Sequence, residues 1–240
     1  MKRALVTGSS GDLGGAICLA LAAAGNHVYV HANSNLNRAN EIVNLIQQQG
    51  GQAETISFNV CNHIETKFAL ENILKKGPIQ VLVNNAGIHK DAVMAGMTPD
   101  QWSDVIDVNL NGFYNVTQPL LLPMIKTRWG RIINIASIAG VIGNRGQANY
   151  AAAKAGLIAA TKSISLEMSS RGITANAVAP GIIQGAMSEN TFDKEAIKKM
   201  VPMQRAGTPE EVSSLVAFLA SDKAGYITGQ VIGINGGMPG

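Results

Sequence analysis

A tyrosine and a lysine stand four positions apart in the segment Tyr150-Ala-Ala-Ala-Lys154. The alanine-rich sequence around them predicts a helix, on which a spacing of four places both side chains on one face. A free tyrosine has a pKa of about 10, and a neighbouring ammonium group favours the phenolate and brings that pKa closer to neutral. The pair therefore indicates proton transfer by a tyrosine that a lysine activates. Taken alone, the same spacing also fits two unrelated residues on a helix surface.

A glycine-rich segment, Thr7-Gly8-Ser9-Ser10-Gly11-Asp12-Leu13-Gly14, follows a short apolar run and precedes a helical pattern. A loop between a strand and a helix N-terminus can hold a pyrophosphate on its main-chain amides. A tight turn with no ligand is the alternative for such a loop on its own. We predict a dinucleotide site here, with contacts from Gly8, Ser10, Gly11, Asp12 and Leu13.

The end of the second predicted strand bears on the choice of dinucleotide. A fold that binds NAD usually ends this strand with Asp or Glu, which holds the adenosine ribose. This chain has His31-Ala32-Asn33-Ser34 there. No carboxylate in that segment opposes a 2′-phosphate, and Asn33, Ser34 and Arg38 are nearby donors. The sequence therefore predicts NADP(H) as the cofactor, with Asn33 and Ser34 among its contacts.

Apolar runs of strand type alternate with helical patterns along the chain. Strands are predicted near Arg3–Thr7, His27–His31, Ala53–Phe58, Ile79–Val83, Arg131–Ala136, Thr174–Val178 and Gln230–Ile234. Helices are predicted near Leu13–Ala24, Leu36–Gln49, Ile64–Lys76, Pro99–Lys126, Asn149–Arg171, Asp193–Met200 and Pro209–Ala220. Strands joined through helices form a parallel sheet with helices on both faces. We therefore predict an α/β fold with a Rossmann-type doubly wound parallel sheet of about seven strands, in one domain over residues 1–240.

The composition argues against several function classes. With 15% charged residues, 5% aromatic residues and a net charge of +3, the chain lacks the profile of a nucleic-acid-binding protein. We expect no membrane span and no secretion signal, because no apolar run has the length or position that either requires. The two cysteines, Cys18 and Cys61, predict no disulfide framework and fit a reducing cytoplasm. No metal site is predicted, and no role is assigned to the four histidines, since they show no ligand spacing. These are His27, His31, His63 and His89.

Five further motifs occur between and after the predicted strands. In chain order they are Asn84-Asn85-Ala86-Gly87, Val108-Asn109-Leu110, Ser137, Pro180-Gly181 and Asn235-Gly236-Gly237. Ser137 stands 13 residues before Tyr150. Together with the glycine-rich loop and the Tyr150–Lys154 pair, they show that the chain resembles the short-chain dehydrogenase/reductase family over essentially its full length.

The resemblance implies a role for each motif. Tyr150 would be the general acid that protonates the reduced carbonyl, and Ser137 would orient that carbonyl by a hydrogen bond. Lys154 would lower the tyrosine pKa and hold the nicotinamide ribose, and Asn109 would anchor a proton-relay water. Further cofactor contacts are implied at Asn59, which can hydrogen-bond adenine, and at Val60, Asn85, Ala86, Gly87, Pro180, Gly181 and Ile183.

Within the family the chain is most similar to 3-oxoacyl-[acyl-carrier-protein] reductases, through Gly130–Ile135, Arg171–Thr174 and Phe218–Asp222. That likeness implies a carrier-bound ketoacyl substrate, a homotetramer, and contact with an acyl carrier protein through Arg128 and Arg171 near the active-site mouth. Two alternatives stay open. One is a dehydrogenase for a free alcohol, sugar or steroid, and the other is a non-catalytic dinucleotide-binding regulator.

Three positions depart from the family pattern. Asp12 replaces a glycine of the phosphate loop, Asn59 replaces an aspartate, and Gly185 replaces a threonine. We expect the Asp12 carboxylate to point away from the pyrophosphate, because like charges oppose binding. Such changes favour an enzyme for a specialised acyl chain, such as one of a polyketide or aryl polyene pathway. The loop from Ile182 to about Met203 is expected to set substrate specificity.

Overall fold

Seven parallel strands form one sheet in the order β3-β2-β1-β4-β5-β6-β7. The computed structural model describes residues 1–185 and 193–239. The strands are β1 Arg3–Val6, β2 His27–Ala32, β3 Gln52–Ser57, β4 Val81–Asn84, β5 Gly130–Ile135, β6 Ile173–Pro180 and β7 Val231–Ile234. The predicted doubly wound sheet is confirmed, and all seven predicted strands occur with ends shifted by at most two residues.

Helices cover both faces of the sheet. They are α1 Asp12–Ala23, α2 Leu36–Gln48, α3 His63–Leu74, α4 Pro99–Ile106, α5 Gly112–Thr127, α6 Ala139–Ile142, α7 Ala148–Met168, α8 Lys194–Met200 and α9 Pro209–Leu219. Alternate residues of β1 point to opposite faces, so that Val6 packs with α1, α2 and α9 while Leu5 packs with α3 and α5. Within the described part of the chain, no helix is long and apolar enough to cross a membrane.

The single long helix predicted over Pro99–Lys126 is wrong. The chain forms α4, then a π-helical turn over Asp107–Asn111, and then α5. A π-helical turn adds one residue to the helical repeat and rotates the side chains within it, and such turns are frequent at functional sites. Here the turn carries Asn109, which is 2% exposed.

The parallel arrangement gathers the predicted site residues at one edge. Thr7 follows β1, Asn85 follows β4, Ser137 follows β5 and Gly181 follows β6. Because every strand runs in the same direction, these four positions lie along the carboxyl edge of the sheet. The order of the strands changes direction between β1 and β4, and ligands of doubly wound sheets bind at such a switch point.

Candidate active site

The start of α7 is held by a buried asparagine that the sequence analysis did not single out. Asn149 is fully buried, and its Nδ2 donates to the carbonyl oxygens of Lys90 at 3.0 Å and Gln101 at 2.8 Å. Its Oδ1 accepts from the main-chain N–H of Tyr150 at 2.8 Å. These bonds join α7 to the first turn of α4 and to the segment after β4, and they fix where Tyr150 enters the site. A polar residue directly before Tyr150 was the only sequence signal for this role.

Ser137 and Tyr150 bring two hydroxyl groups together. Ser137 lies in the turn after β5, where its Oγ accepts from the N–H of Ala139 at 3.2 Å. The same hydroxyl lies within hydrogen-bonding reach of the Tyr150 phenol. A carbonyl oxygen placed between the two hydroxyls can accept a hydrogen bond from each, which stabilises negative charge as it develops on that oxygen.

Lys154 lies one helical turn after Tyr150 and is 3% exposed. Its Nζ donates to the carbonyl oxygen of Ile135 at 2.8 Å and lies 5.5 Å from the centroid of the Tyr150 ring. Burial lowers the pKa of Lys154 to about 8, because the charged form loses its hydration. The group is therefore still mainly an ammonium at neutral pH.

The expected depression of the tyrosine pKa is wrong for this arrangement. Burial raises the pKa of Tyr150 above its usual value, the hydrogen bond from Ser137 opposes that rise, and the negative charge of Asp91 adds to it. The Lys154 ammonium donates to the carbonyl oxygen of Ile135 and lies 5.5 Å from the centroid of the Tyr150 ring, and burial of the phenol outweighs the lowering of the pKa that was expected from it. A raised pKa keeps the phenol protonated at neutral pH, which suits a proton donor.

Asn109 presents an acceptor to the same space. Its Nδ2 donates to the carbonyl oxygens of Ile88 and Val105, both at 2.8 Å. Its Oδ1 is buried and has no donor among the described residues. A Cβ on Gly87 would lie 2.6 Å from that Oδ1 and 3.4 Å from Lys154 Nζ. The absence of a side chain on Gly87 thus leaves the Asn109 acceptor and the Lys154 ammonium facing one small space, an arrangement that fits a bridging water.

The glycine-rich loop is shaped for an anion. Gly8 has a φ of +64°, and a Cβ on it would lie 2.8 Å from the Cα of Ala86. A Cβ on Gly14 would lie 2.5 Å from the carbonyl oxygen of Gly8, whereas one on Gly11 would meet only that oxygen, at 3.7 Å. Unlike α2, α3, α4, α8 and α9, helix α1 begins without a side-chain cap from the described residues. Its first-turn amides therefore fit a pyrophosphate.

Asn85 braces the loop by its side chain. The amides of Asn85 and Ala86 both donate to Thr7 Oγ1 at 3.0 Å. The Asn85 Nδ2 donates to the carbonyl oxygens of Thr7 at 3.0 Å and Gly8 at 3.1 Å. These bonds tie the end of β1 to the end of β4, so Asn85 sets the shape of the loop. Direct contact of Asn85, Ala86 and Gly87 with the cofactor stays a prediction.

Two departures from the family pattern meet in the structure. Asp12 is the first residue of α1, and its Oδ2 would lie 2.7 Å from a Cβ placed on Gly185. Gly185 also has a φ of +142°, which other residues rarely adopt. The Asp12 carboxylate thus lies next to Gly185, which has no side chain. Whether Asp12 or Leu13 contacts a cofactor stays a prediction.

In the segment Asn59–Val60, which is expected to contact adenine, several polar groups form hydrogen bonds within the chain. Asn59 Oδ1 accepts from the N–H of Cys61 at 3.0 Å, and the Asn59 N–H donates to Glu65 at 3.0 Å. Val60 is buried in the core on the α3 side of the sheet. At the end of β2, Ala32 is fully buried while Asn33 and Ser34 are exposed. Arg38 forms an exposed ion pair with Glu41 at 2.8 Å.

The segment after β6 is positioned by main-chain bonds. The Gly181 N–H donates to Ile234 at 3.0 Å, and the Pro180 carbonyl oxygen accepts from Ile138 at 2.9 Å. Ile183 pairs with Gly207, using the carbonyl of Ile182 and the N–H of Gln184, so that the main-chain groups of Ile183 itself face the other way. They fit the predicted cofactor contact. Of the loop from Ile182 to Met203, residues 186–192 lie outside the described residues.

Arg128 and Arg171 were predicted to lie near the active-site mouth. Within one chain this prediction is wrong. Arg128 precedes β5 and Arg171 precedes β6, and the Arg128 guanidinium donates to the carbonyl oxygen of Ser170 at 3.0 Å. Both lie at the amino edge of the sheet, about 20 Å from the carboxyl ends at the 3.3 Å rise of a strand residue. An exposed basic residue that does lie at the carboxyl edge is Arg145, in the loop before α7.

Comparison with known proteins gives matches over nearly the whole chain. A family model described as Enoyl-(Acyl carrier protein) reductase matches residues 8–239. The chain is 45% identical over 240 residues to 3-oxoacyl-[acyl-carrier-protein] reductase FabG of Staphylococcus epidermidis, covering 99% of this chain and 98% of that protein. It is 46% identical over 237 residues to 3-oxoacyl-[acyl-carrier-protein] reductase of Synechocystis sp., covering 98% and 96%. It is 43% identical over 240 residues to the FabG reductase of Rickettsia felis, covering 99% and 96%.

The buried Lys154 predicts a rise in stability at alkaline pH. Its pKa is about 8 in the folded protein and 10.5 as the ordinary value. Between these values the unfolded chain binds more protons, so the free energy of unfolding should rise with pH, by about 3 kcal/mol in all. Urea unfolding from pH 7 to 11 should show this rise relative to Lys154→Met. Lys162→Met, at an exposed lysine of the same helix, should retain it. Equal pH dependence of wild type and Lys154→Met would contradict the assignment.

Proposed function

Since the chain belongs to the short-chain dehydrogenase/reductase family, we propose that it reduces a 3-oxoacyl thioester to the 3-hydroxyacyl thioester with NADPH. The observation that carries the proposal is the convergence of the Ser137 and Tyr150 hydroxyls beside the buried Lys154 ammonium. The names of the similar proteins from three bacteria support the substrate class, because each is a 3-oxoacyl-[acyl-carrier-protein] reductase. The product serves fatty-acid synthesis or a related, specialised chain synthesis.

The residues of the chain supply position, polarisation and a proton. Ser137 and Tyr150 each donate a hydrogen bond to the ketone oxygen, which makes the carbonyl carbon more electrophilic. NADPH, when bound, would supply the hydride that this carbon receives. As the carbon–oxygen double bond becomes a single bond, the phenolic proton of Tyr150 passes to the oxygen and completes the alcohol. The phenolate that is left is stabilised by the hydroxyl of Ser137 and by the positive charge of Lys154.

Tyr150 can regain its proton through the polar groups that lie near it. The Lys154 ammonium and the buried Asn109 Oδ1 face the space left by Gly87. A water held there receives a hydrogen bond from Lys154 and donates one to Asn109. In this proposal Asn109 anchors the relay water and Lys154 passes protons toward the phenolate.

NADP(H) is the proposed cofactor. The first-turn amides of α1 fit the pyrophosphate, and the exposed Asn33 and Ser34 at the end of β2 present donors to a 2′-phosphate. Lys154 would hold the nicotinamide ribose, and the outward main-chain groups of Ile183 would bind the carboxamide. The remaining proposed contacts come from Gly8, Ser10, Gly11, Asp12, Leu13, Asn59, Val60, Asn85, Ala86, Gly87, Pro180 and Gly181.

An acyl carrier protein is the proposed donor of the substrate, and a cytoplasmic homotetramer the proposed assembly. Arg128 and Arg171 lie near each other and are exposed, which suits an acidic partner. Because they lie at the amino edge of their own chain, they can serve an active site only where a neighbouring subunit brings that edge beside it. Carrier contact through these arginines therefore depends on the proposed assembly.

Substrate preference tests the function. The protein should oxidise NADPH with acetoacetyl-carrier protein, more slowly with free ketones, and not with a crotonyl thioester, which has no C3 ketone oxygen for the Ser137 and Tyr150 hydroxyls to hold. Tyr150→Phe should lower kcat by ~10²–10⁴-fold with little change in Tm or NADPH affinity, since it removes one proton donor and little volume. Tyr226→Phe, at a fully exposed tyrosine, is the matched control.

Three results would count against this function. Faster turnover of the crotonyl thioester would support the enoyl reduction named by the matching family model. A clear preference for free ketones would favour a dehydrogenase of free alcohols. Near-normal turnover in Tyr150→Phe would remove the proposed acid.

Cofactor choice is tested by adding a carboxylate at the end of β2. Wild type should bind NADPH more tightly than NADH, and Asn33→Asp should reverse the order, because the new charge opposes the 2′-phosphate. Ala32→Asp should do the same, but Ala32 is fully buried, so its variant also needs a Tm measurement. Fluorescence titration of both cofactors measures the dissociation constants. A wild type that binds NADH as tightly as NADPH would refute the choice.

Charge reversal tests the carrier surface. Arg128→Glu with Arg171→Glu should lower kcat/KM for a carrier-bound substrate, with strong salt dependence, and leave a small thioester almost unaffected. Arg145→Glu is the comparison at the carboxyl edge. If only Arg145→Glu weakens carrier-bound turnover, the carrier docks at the mouth of one chain and the amino-edge arginines have no such role. Equal losses for both substrates would indicate damage to folding or assembly instead.

A further inference from the structure

One histidine that the proposed chemistry leaves unused is built into the cofactor loop. His31 lies at the carboxyl end of β2 and is 1% exposed. Its side chain is on the same face of the sheet as Tyr29, where its ring packs against Phe58 with ring centroids 4.0 Å apart. A buried histidine needs partners for both ring nitrogens, and both are found in segments that the cofactor is proposed to contact.

The two ring nitrogens of His31 bind different segments. Nδ1 accepts from the Gly8 N–H at 3.0 Å, and Nε2 lies 2.8 Å from the Phe58 carbonyl oxygen. Since Nδ1 accepts, the proton is on Nε2, which donates to Phe58, and the ring is uncharged. Burial lowers the pKa of His31 to about 4, which agrees with a neutral ring at physiological pH.

The main chain of His31 binds the same loop. Its carbonyl oxygen accepts from the Ser9 N–H at 2.8 Å, and its N–H donates to Ser9 Oγ at 3.3 Å. Ser9 Oγ in turn donates to Val6 at 2.6 Å. One residue therefore holds both Gly8 and Ser9, in the loop that leads into the first turn of α1. Through Phe58 it also contacts the segment that leads into Asn59 and Val60.

We propose that His31 is a positioning residue for the cofactor, whose neutral ring holds the Gly8 amide and couples the pyrophosphate loop to the adenine segment. The inference rests on the proposed function only in taking the ligand to be a nicotinamide dinucleotide. Loss of the Nδ1 acceptor leaves the Gly8 N–H without its partner, and the loop then relaxes away from the conformation that presents the first-turn amides of α1. Binding should suffer, whereas chemistry at Tyr150 should not.

Three variants separate the two ring contacts. His31→Asn keeps an acceptor at the position of Nδ1, His31→Gln keeps a donor that reaches Phe58, and His31→Leu keeps neither. His27→Leu, at a histidine on the opposite end of the same strand, is the matched control. NADPH dissociation constants come from fluorescence titration without substrate, and amide hydrogen exchange of Gly8 and Ser9 is measured in the cofactor-free protein.

His31→Leu should weaken NADPH binding about tenfold or more and speed exchange at Gly8, with kcat at saturating NADPH close to that of wild type. His31→Asn should restore binding to within about threefold, because only the acceptor matters for the loop, and His27→Leu should bind as wild type does. Adenosine 2′-monophosphate, which lacks the pyrophosphate, should lose less affinity than NADPH in His31→Leu.

Several outcomes would overturn the inference. Unchanged NADPH affinity in His31→Leu would do so, as would equal weakening in His31→Asn and His31→Leu, since the acceptor would then not be the determinant. If His31→Leu does not fold, the comparison of His31→Asn with His31→Gln decides, and tighter binding by His31→Gln contradicts the proposal. A wild type that binds neither NADPH nor NADH would instead refute the proposed function, which separates the two failures.

Discussion

The junction between the carboxyl ends of β1 and β4 is the constraint on which the site depends. Thr7 Oγ1 accepts the amides of Asn85 and Ala86, and the Asn85 side chain returns two hydrogen bonds to the loop after β1. This junction lies at the point where the strand order changes direction, so it fixes the loop proposed to bind the pyrophosphate. Gly8 has no room for a side chain because the Cα of Ala86 lies against it. The two segments must therefore fold together.

Burial sets the protonation states on the catalytic side of this junction. Lys154 is enclosed between α7 and the end of β5, which lowers its pKa toward 8, and the same loss of hydration raises the pKa of Tyr150. The two shifts have one cause, since burial favours the uncharged form of each group, and at neutral pH they leave a phenol that can donate its proton and a lysine that is still mainly an ammonium. The π-helical turn that carries Asn109 adds an acceptor without a described donor to that pocket. The proposed proton donor and relay therefore consist of buried groups, of which the Lys154 ammonium has a specific partner and the Asn109 oxygen has none among the described residues.

The two edges of the sheet divide the remaining functions. The glycine-rich loop, Asn85, Ser137 and Gly181 lie at the carboxyl edge because each follows a parallel strand, whereas Arg128 and Arg171 lie at the amino edge. A carrier protein that contacts those arginines cannot reach Tyr150 of the same chain from there. The two arginines can therefore serve carrier binding only if a neighbouring subunit brings them beside its active site. His31, by contrast, is buried, and it contacts the cofactor loop of its own chain. His31 thus lies with the residues that shape the loop, on the edge opposite the two arginines proposed to contact a partner.

The alternation of apolar runs and helical patterns was sufficient to predict seven strands and helices on both faces, because local periodicity and parallel connections determine these features. Ser137 was grouped with Tyr150 and Lys154 only through the resemblance to the family. The ends of the strands, the π-helical turn at Asn109 and the contacts of Asn149 depend on side chains distant in sequence. The sign of the Tyr150 pKa shift was also decided only in three dimensions, since spacing indicates a nearby cation but not the burial that outweighs it. For the same reason His31 carried no signal in the sequence: its partners, Gly8 and Phe58, lie in two other segments, and only folding brings them to the two nitrogens of one ring.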